Sequence, residues 1–229
     1  MHISIISIFP EIFESFLTSS LIQKAREKQL ITIDLVNPRD FCNDKHKQID
    51  DEIYGGGAGM LLKAEPIIHA IQDTINKNNR KKEDIHILFP SPSKTVFNQQ
   101  SAHSLADKKN LIFICGRYEG IDYRMEERLN KNYPKQRKKI SLGQFITLGG
   151  ETPTMVMIEA ITRLLPGVIN KAQSREDESY NILENMNNLE APQYTRPQEF
   201  DNMKVPEVLL SGDHKKIEER KKEQSKDIS

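Results

Sequence analysis

The sequence predicts an α/β protein built on a parallel sheet with helices on both faces. Three observations carry this. Short runs that are apolar throughout recur along the first two-thirds of the chain, as strands buried on both faces require. Between them lie segments whose apolar residues fall at helical spacing. The two kinds of signal alternate, which is the pattern of βαβ units and not of a sandwich or a bundle.

In chain order, residues 3–9 form the first buried strand, and Pro10 opens a helix at a position where its missing N–H costs nothing. Residues 19–28 are helical and lead into a β-branched strand, 31–36. A long polar loop follows. Residues 64–78 form a helix with Ile67, Ile68, Ile71 and Ile75 on one stripe. Then come a strand at 85–89, a helix at 98–107, a continuous apolar strand at 111–115 and a helix at 122–130. A short strand is expected at 140–146, and a helix at 152–165 closed by Pro166 and Gly167. This places an α/β domain at 1–167. Residues 168–180 are a polar linker, and 181–229 a small helical domain whose tail, 213–225, carries nine charges and one aliphatic residue, Ile217. A helix of that composition has no core face of its own.

The chain has 33 basic and 33 acidic residues, and so no net charge. A polybasic tail protein, a histone-like wrapper and an acidic disordered chain are excluded, but a nucleic-acid ligand is not, because phosphate binding needs only a local basic face. Cys42 and Cys115 lie far apart and form no C-x-x-C pair, which suits a reduced intracellular protein. The apolar start is broken early by Pro10, lacks a positive flank, and no later stretch approaches the length of a membrane span. A soluble, cytoplasmic protein is expected.

Three glycine-rich segments could carry chemistry: 54–61, 115–121 and 141–152. Ligands of open parallel sheets collect beyond the carboxyl ends of strands, where glycine lets backbone approach closely. Each segment alone also suits a tight turn. None has the Lys-Ser/Thr of a P-loop, and no G-x-G-x-x-G opens a helix, so nucleotide hydrolysis and hydride transfer are disfavoured. Cys42 and His46 are four apart without a third ligand nearby, which is too few for zinc. Across 131–139, five of nine residues are basic and none acidic, a solvated loop or a phosphate-tracking patch.

The ordered motifs are more specific than their parts. Phe9-Pro10-Glu11, Asn37 to Phe41 (NPRDF), Tyr54 to Met60 (YGGGxGM), Gly116 to Asp122 (GRYEGID), Ser141 to Phe145 (SLGxF), Gly149 to Pro153 (GGExP), Pro166 to Val168 (PGV), Tyr194 to Pro197 (YTRP) and Val205 to Gly212 (VPxVLxSG) together resemble the bacterial tRNA (guanine-N1)-methyltransferases of the TrmD type. The resemblance runs from residue 1 to about 225. It implies a SPOUT fold with a trefoil knot, S-adenosylmethionine as cofactor, an obligate homodimer with active sites at the interface, and the anticodon stem-loop of tRNA as partner. It places the cofactor against Pro92, Gly116, Arg117, Glu119, Ser141, Leu142, Gly143, Phe145, Gly149, Gly150 and Pro153. Arg163 matches the arginine near the guanine, and the general base falls on Asp177 or Glu178, beside Ser179-Tyr180. Lys138, Lys139, Arg196 and Lys215 are the expected RNA contacts. No protein-held metal site is implied, although Mg2+ is admitted as an additional cofactor.

The chain departs from the family's pattern in places. Gln144 stands where an aspartate is usual, Thr147-Leu148 where the order is commonly reversed, Glu52-Ile53 where Arg-Pro is common, and Arg220 where the tail usually has tryptophan. About six extra residues carry the basic run before Ser141, and the tail is expected to be short. A relative that binds tRNA or cofactor without catalysing is the competing expectation.

Overall fold

Strands that are apolar throughout come out buried on both sides. The computed structural model describes residues 1–77, 80–169, 178–180 and 188–227, and the chain divides into two compact units, 1–169 and 170–229. In the first unit β1 (His2–Ile6) is followed by a 3-10 turn, Pro10–Phe13, which has its proline in the first turn as expected, and then by α1 (Glu14–Leu17) and α2 (Ser20–Glu27). β2 (Thr32–Val36), β3 (Asp50–Glu52), β4 (Met60–Leu62) and α3 (Ala64–Lys77) come next. β5 (Ile85–Pro90), α4 (Gln99–Ala106), β6 (Asn110–Ile114), α5 (Tyr123–Asn132), β7 (Arg137–Ile140) and α6 (Glu151–Thr162) complete it.

Five strands form one parallel sheet in the order β2-β1-β6-β5-β7. Side chains alternate between its two faces as the pleat demands. Ile3, Ile5, Leu111, Phe113 and Cys115 pack with α1, α2, α4 and α6, while Ile6, Ile112 and Ile114 pack with α3 and α5. Ile67 and Ile71 of the expected stripe are fully buried, and Ile68 and Ile75 border the core. Helix entries follow local chemistry: the Asn98 side chain accepts from Ser101 N at 2.9 Å, and the Asp122 carboxylate accepts from Arg124 N at 2.9 Å.

Two expectations are corrected. The strand expected at 140–146 is β7, Arg137–Ile140, so the basic run spans the end of α5, a short turn at 133–136 and an edge strand. Arg137 and Lys139 both turn toward the nearly buried Glu126 of α5, at 3.6 and 2.6 Å, which lets a charged strand join the sheet. Past Ile140 the chain leaves the sheet, and Ile146 is 82% exposed. The second correction lies in the long polar loop, which contains the antiparallel pair β3–β4. Strands of three residues, one of them Asp-Asp-Glu, carry no periodic signal.

In the second unit, β8 (Asn188–Leu189) pairs with β11 (Lys226–Asp227), and β9 (Glu199–Phe200) pairs with β10 (Met203–Lys204). Helices α7 (Glu207–Leu210) and α8 (His214–Gln224) lie between β10 and β11. α8 starts at the Asp213 cap and has no buried residue, as its composition predicts. Among the described residues, no helix is long and apolar enough to cross a membrane.

Candidate active site

A cavity of 280 Å³ opens at the carboxyl ends of β5, β6 and β7, the position where open parallel sheets bind ligands. Three loops wall it. The chain after β5 contributes Pro92, the chain after β6 contributes Gly116, Arg117 and Glu119, and the chain after β7 contributes Ser141, Leu142, Gly143, Phe145, Gly149 and Gly150, with Pro153 from the first turn of α6. Every residue that the motifs assign to the cofactor therefore lines one cavity. Sequence reasoning did not single out Phe89, Pro90 and Tyr118, which also line it. Phe89 and Pro90 belong to the end of a strand, where packing and lining look alike in sequence.

Hydrogen bonds hold the segment after β7 on both sides. Ser141 N donates to Thr95 O and Phe97 N donates to Ser141 O, each at 2.8 Å, while Gly150 N donates to Gly116 O at 2.9 Å. The Ser141 hydroxyl accepts from Gly143 N at 3.1 Å and donates to Gly143 O at 2.8 Å, so a serine two residues before a glycine builds the turn. Gly143 has φ +155, and a Cβ there would meet the Phe145 ring at 2.9 Å.

From the wall of the cavity an ion pair reaches inward to a buried carboxylate. Arg117 Nε stands 2.8 Å from Glu151 Oε2, and the Ser7 hydroxyl donates to Glu151 Oε1 at 2.7 Å. Glu151 is 1% exposed, and the Arg117 guanidinium also lies over the Phe9 ring. Sequence reasoning did not assign Glu151 or Ser7 a role. Gly-Gly-Glu puts an acidic residue in a helix's first turn, facing the positive end of the dipole, which suits a solvated glutamate as well as a buried one. The pair explains Gly149, where a Cβ would lie 2.4 Å from Arg117 Nε; at Gly150 a Cβ would lie 2.9 Å from Cys115 Cα. Both glycines thus make room for protein as well as for a ligand, and a bulky residue at either is expected to disturb the fold.

Cys115 is no nucleophile. Burial pushes its thiol well above the ordinary range, and its Sγ lies 3.4 Å from Thr154 Oγ1. Glu119 forms a rim shared with the glycine loop of the β3–β4 pair: its N donates to Met60 O at 3.1 Å, and a Cβ on Gly59 would meet its side chain.

The other expected site residues of the first unit do not line this cavity. Arg163 caps α6 at its C-terminus, and the helix's 12 residues put about 18 Å between its ends. Lys139 is engaged with Glu126 and lies 5.6 Å from the Phe89 ring centre, whereas Lys138 is exposed on the other face of β7. In the second unit Arg196 and Lys215 are exposed and Glu178 is half-buried; Asp177 lies outside the described residues. No group of three metal-ligating side chains occurs among the described residues.

A doubly covered parallel sheet with a glycine-walled cavity at its carboxyl edge defines a ligand-binding α/β protein of the cofactor-using kind. Residues 1–228 match the family model described as tRNA (Guanine-1)-methyltransferase TrmD. The chain belongs to this family. It is similar to proteins named tRNA (guanine-N(1)-)-methyltransferase from Carboxydothermus hydrogenoformans, 47% identical over 98% of this chain and 83% of the relative, and from Clostridioides difficile, 41% identical over 98% and 92%. The relative from Dictyoglomus turgidum, with the same name, is 43% identical over 95% of this chain and 82% of its own.

Proposed function

We propose that the chain transfers a methyl group from S-adenosylmethionine to N1 of the guanosine 3′ to the anticodon, tRNA position 37, in the cytoplasm. Family membership makes it a tRNA (guanine-N1)-methyltransferase. The observation that carries the finer reading is convergence: motif residues from three separate loops line one cavity.

The cavity suits this cofactor. Its 280 Å³ lies just below the usual volumes of ligand sites, roughly 300–1,000 Å³. Pro90, Pro92 and Leu142 offer apolar surface to a purine, Glu119 an acceptor for sugar hydroxyls, and the glycines backbone without side chains. The bound cofactor supplies the electrophilic methyl group, so the chain has to bind, orient and move one proton. Guanine N1 carries that proton and is a poor nucleophile until it leaves. A carboxylate, Asp177 or Glu178, takes it, and Arg163 offsets the charge that develops on O6.

Arg163 and Pro153 sit at opposite ends of α6, so this reading includes a homodimer in which Arg163 serves a site completed by a second copy. Phe145, Ile146 and Leu148, 59%, 82% and 89% exposed at the cavity rim, are the apolar surface such a copy would cover. The reading also includes the trefoil knot. The segment after β7, bonded to residues 95–97 on one side and 116–117 on the other, is the stretch that would thread.

Incubating unmodified tRNA transcripts with labelled cofactor, with and without Mg2+, and identifying the modified nucleoside tests the reading. Asp177→Asn and Glu178→Gln should differ: one loses several orders of magnitude in single-turnover rate with cofactor affinity retained. Near-native rates in both would remove the carboxylate base, and cofactor binding without methylguanosine would mark a binding relative.

A further inference from the structure

A second cavity, of 610 Å³, lies between α4 and the edge strand β7. His86, Lys108, Lys135, Arg137 and Lys138 line it, and no Asp or Glu does. In a chain whose charges balance at 33 against 33, such a one-signed lining is unusual. The ion pairs of this region are Lys109 with Asp84, and Arg137 and Lys139 with Glu126; Lys108, Lys135 and Lys138 take part in none of them. The local field shows on His86, whose imidazole is held below its ordinary value by burial and by the Lys108 ammonium, against the opposing pull of Asp84. Gln136 also lines the groove.

Lysine on an edge strand also guards against edge-to-edge pairing. That accounts for Lys138, but not for Lys108 beyond the end of α4 or Lys135 ahead of β7. The two cavities share a wall. Ile140 lines both, and Thr95 of the second accepts the backbone N–H of Ser141 of the first. An RNA whose target base is presented to the cofactor in the first cavity therefore has this groove close by.

We infer that the groove between α4 and β7 binds the sugar–phosphate backbone of the RNA substrate, with Lys108, Lys135 and Lys138 on phosphates. The inference rests on tRNA being the substrate, as proposed above. It replaces Lys139, tied to Glu126, by Lys108 and Lys135.

The test is equilibrium binding of an unmodified tRNA transcript to the full chain across a salt series. Replacing Lys108, Lys135 and Lys138 together by Gln should lower the slope of log K against log salt by roughly 2 to 3, with cofactor affinity and melting temperature kept. A control that loses the exposed Lys24 and Lys77 should keep the slope. If the wild type methylates the transcript and the triple variant keeps the wild-type slope, the groove is not an RNA site. A wild type that neither binds nor methylates tRNA overturns the functional reading itself, and this inference with it.

Discussion

Two glycine clusters of this chain obey opposite rules. In the loop between β3 and β4, Gly55, Gly56 and Gly57 have φ of +89, +82 and +136, and a Cβ on any of them would meet nothing within 4 Å. Neighbouring Tyr54 is 98% exposed. These glycines serve backbone conformation alone. Gly149 and Gly150, ahead of α6, have no positive φ, yet a Cβ on either would strike the Arg117–Glu151 pair or the backbone of Cys115. They serve proximity. One residue type thus sets a turn in open space at one place and lets two chain segments touch at the other.

The comparison is broken most severely at the ion pair that Gly149 accommodates. Arg117→Ala would leave a carboxylate that is 1% exposed with only the Ser7 hydroxyl as partner, and should cost about 3–5 kcal/mol in denaturant unfolding. A loss below about 1 kcal/mol would mean that solvent reaches Glu151. Gly150→Ala comes next. Its clash is with backbone 2.9 Å away, which cannot swing aside, so about 1–3 kcal/mol should be lost, along with cofactor affinity. Gly56→Ala should cost least, about 1 kcal/mol or less, since its φ is +82 but the space is open. If the two alanine variants proved equally stable, the contrast between conformation and proximity would collapse.

Much of the cavity was legible because its walls are short contiguous motifs, and a motif keeps its residues adjacent whatever the fold does. Ser141 and Gly143 build a turn from each other, and Asn98 and Asp122 cap helices within three residues of themselves. Chemistry of that range is readable in a linear chain. The Glu151 site was not legible, because its partners Ser7 and Arg117 lie far away along the chain, and nothing local distinguishes a buried glutamate from a solvated one. β7 was misplaced for the same reason. Arg137 and Lys139 read as loop residues until Glu126 of α5 stands opposite them.

By itself the sequence determined the class of the fold, the order of the helices and sheet strands of the first unit and the glycine-rich walls of the cavity, which follow from periodicity, capping and turn chemistry acting over a few residues, and its ordered motifs determined the family. Only the tertiary structure decided which charges are paired and which stand alone. Lys138 and Lys139 are neighbours in sequence, but the pleat sends them to opposite faces of β7. One meets the carboxylate of Glu126 and the other a groove without any acid. A charge's role depends on what stands across from it, and on this sheet that is set by segments far away in the chain.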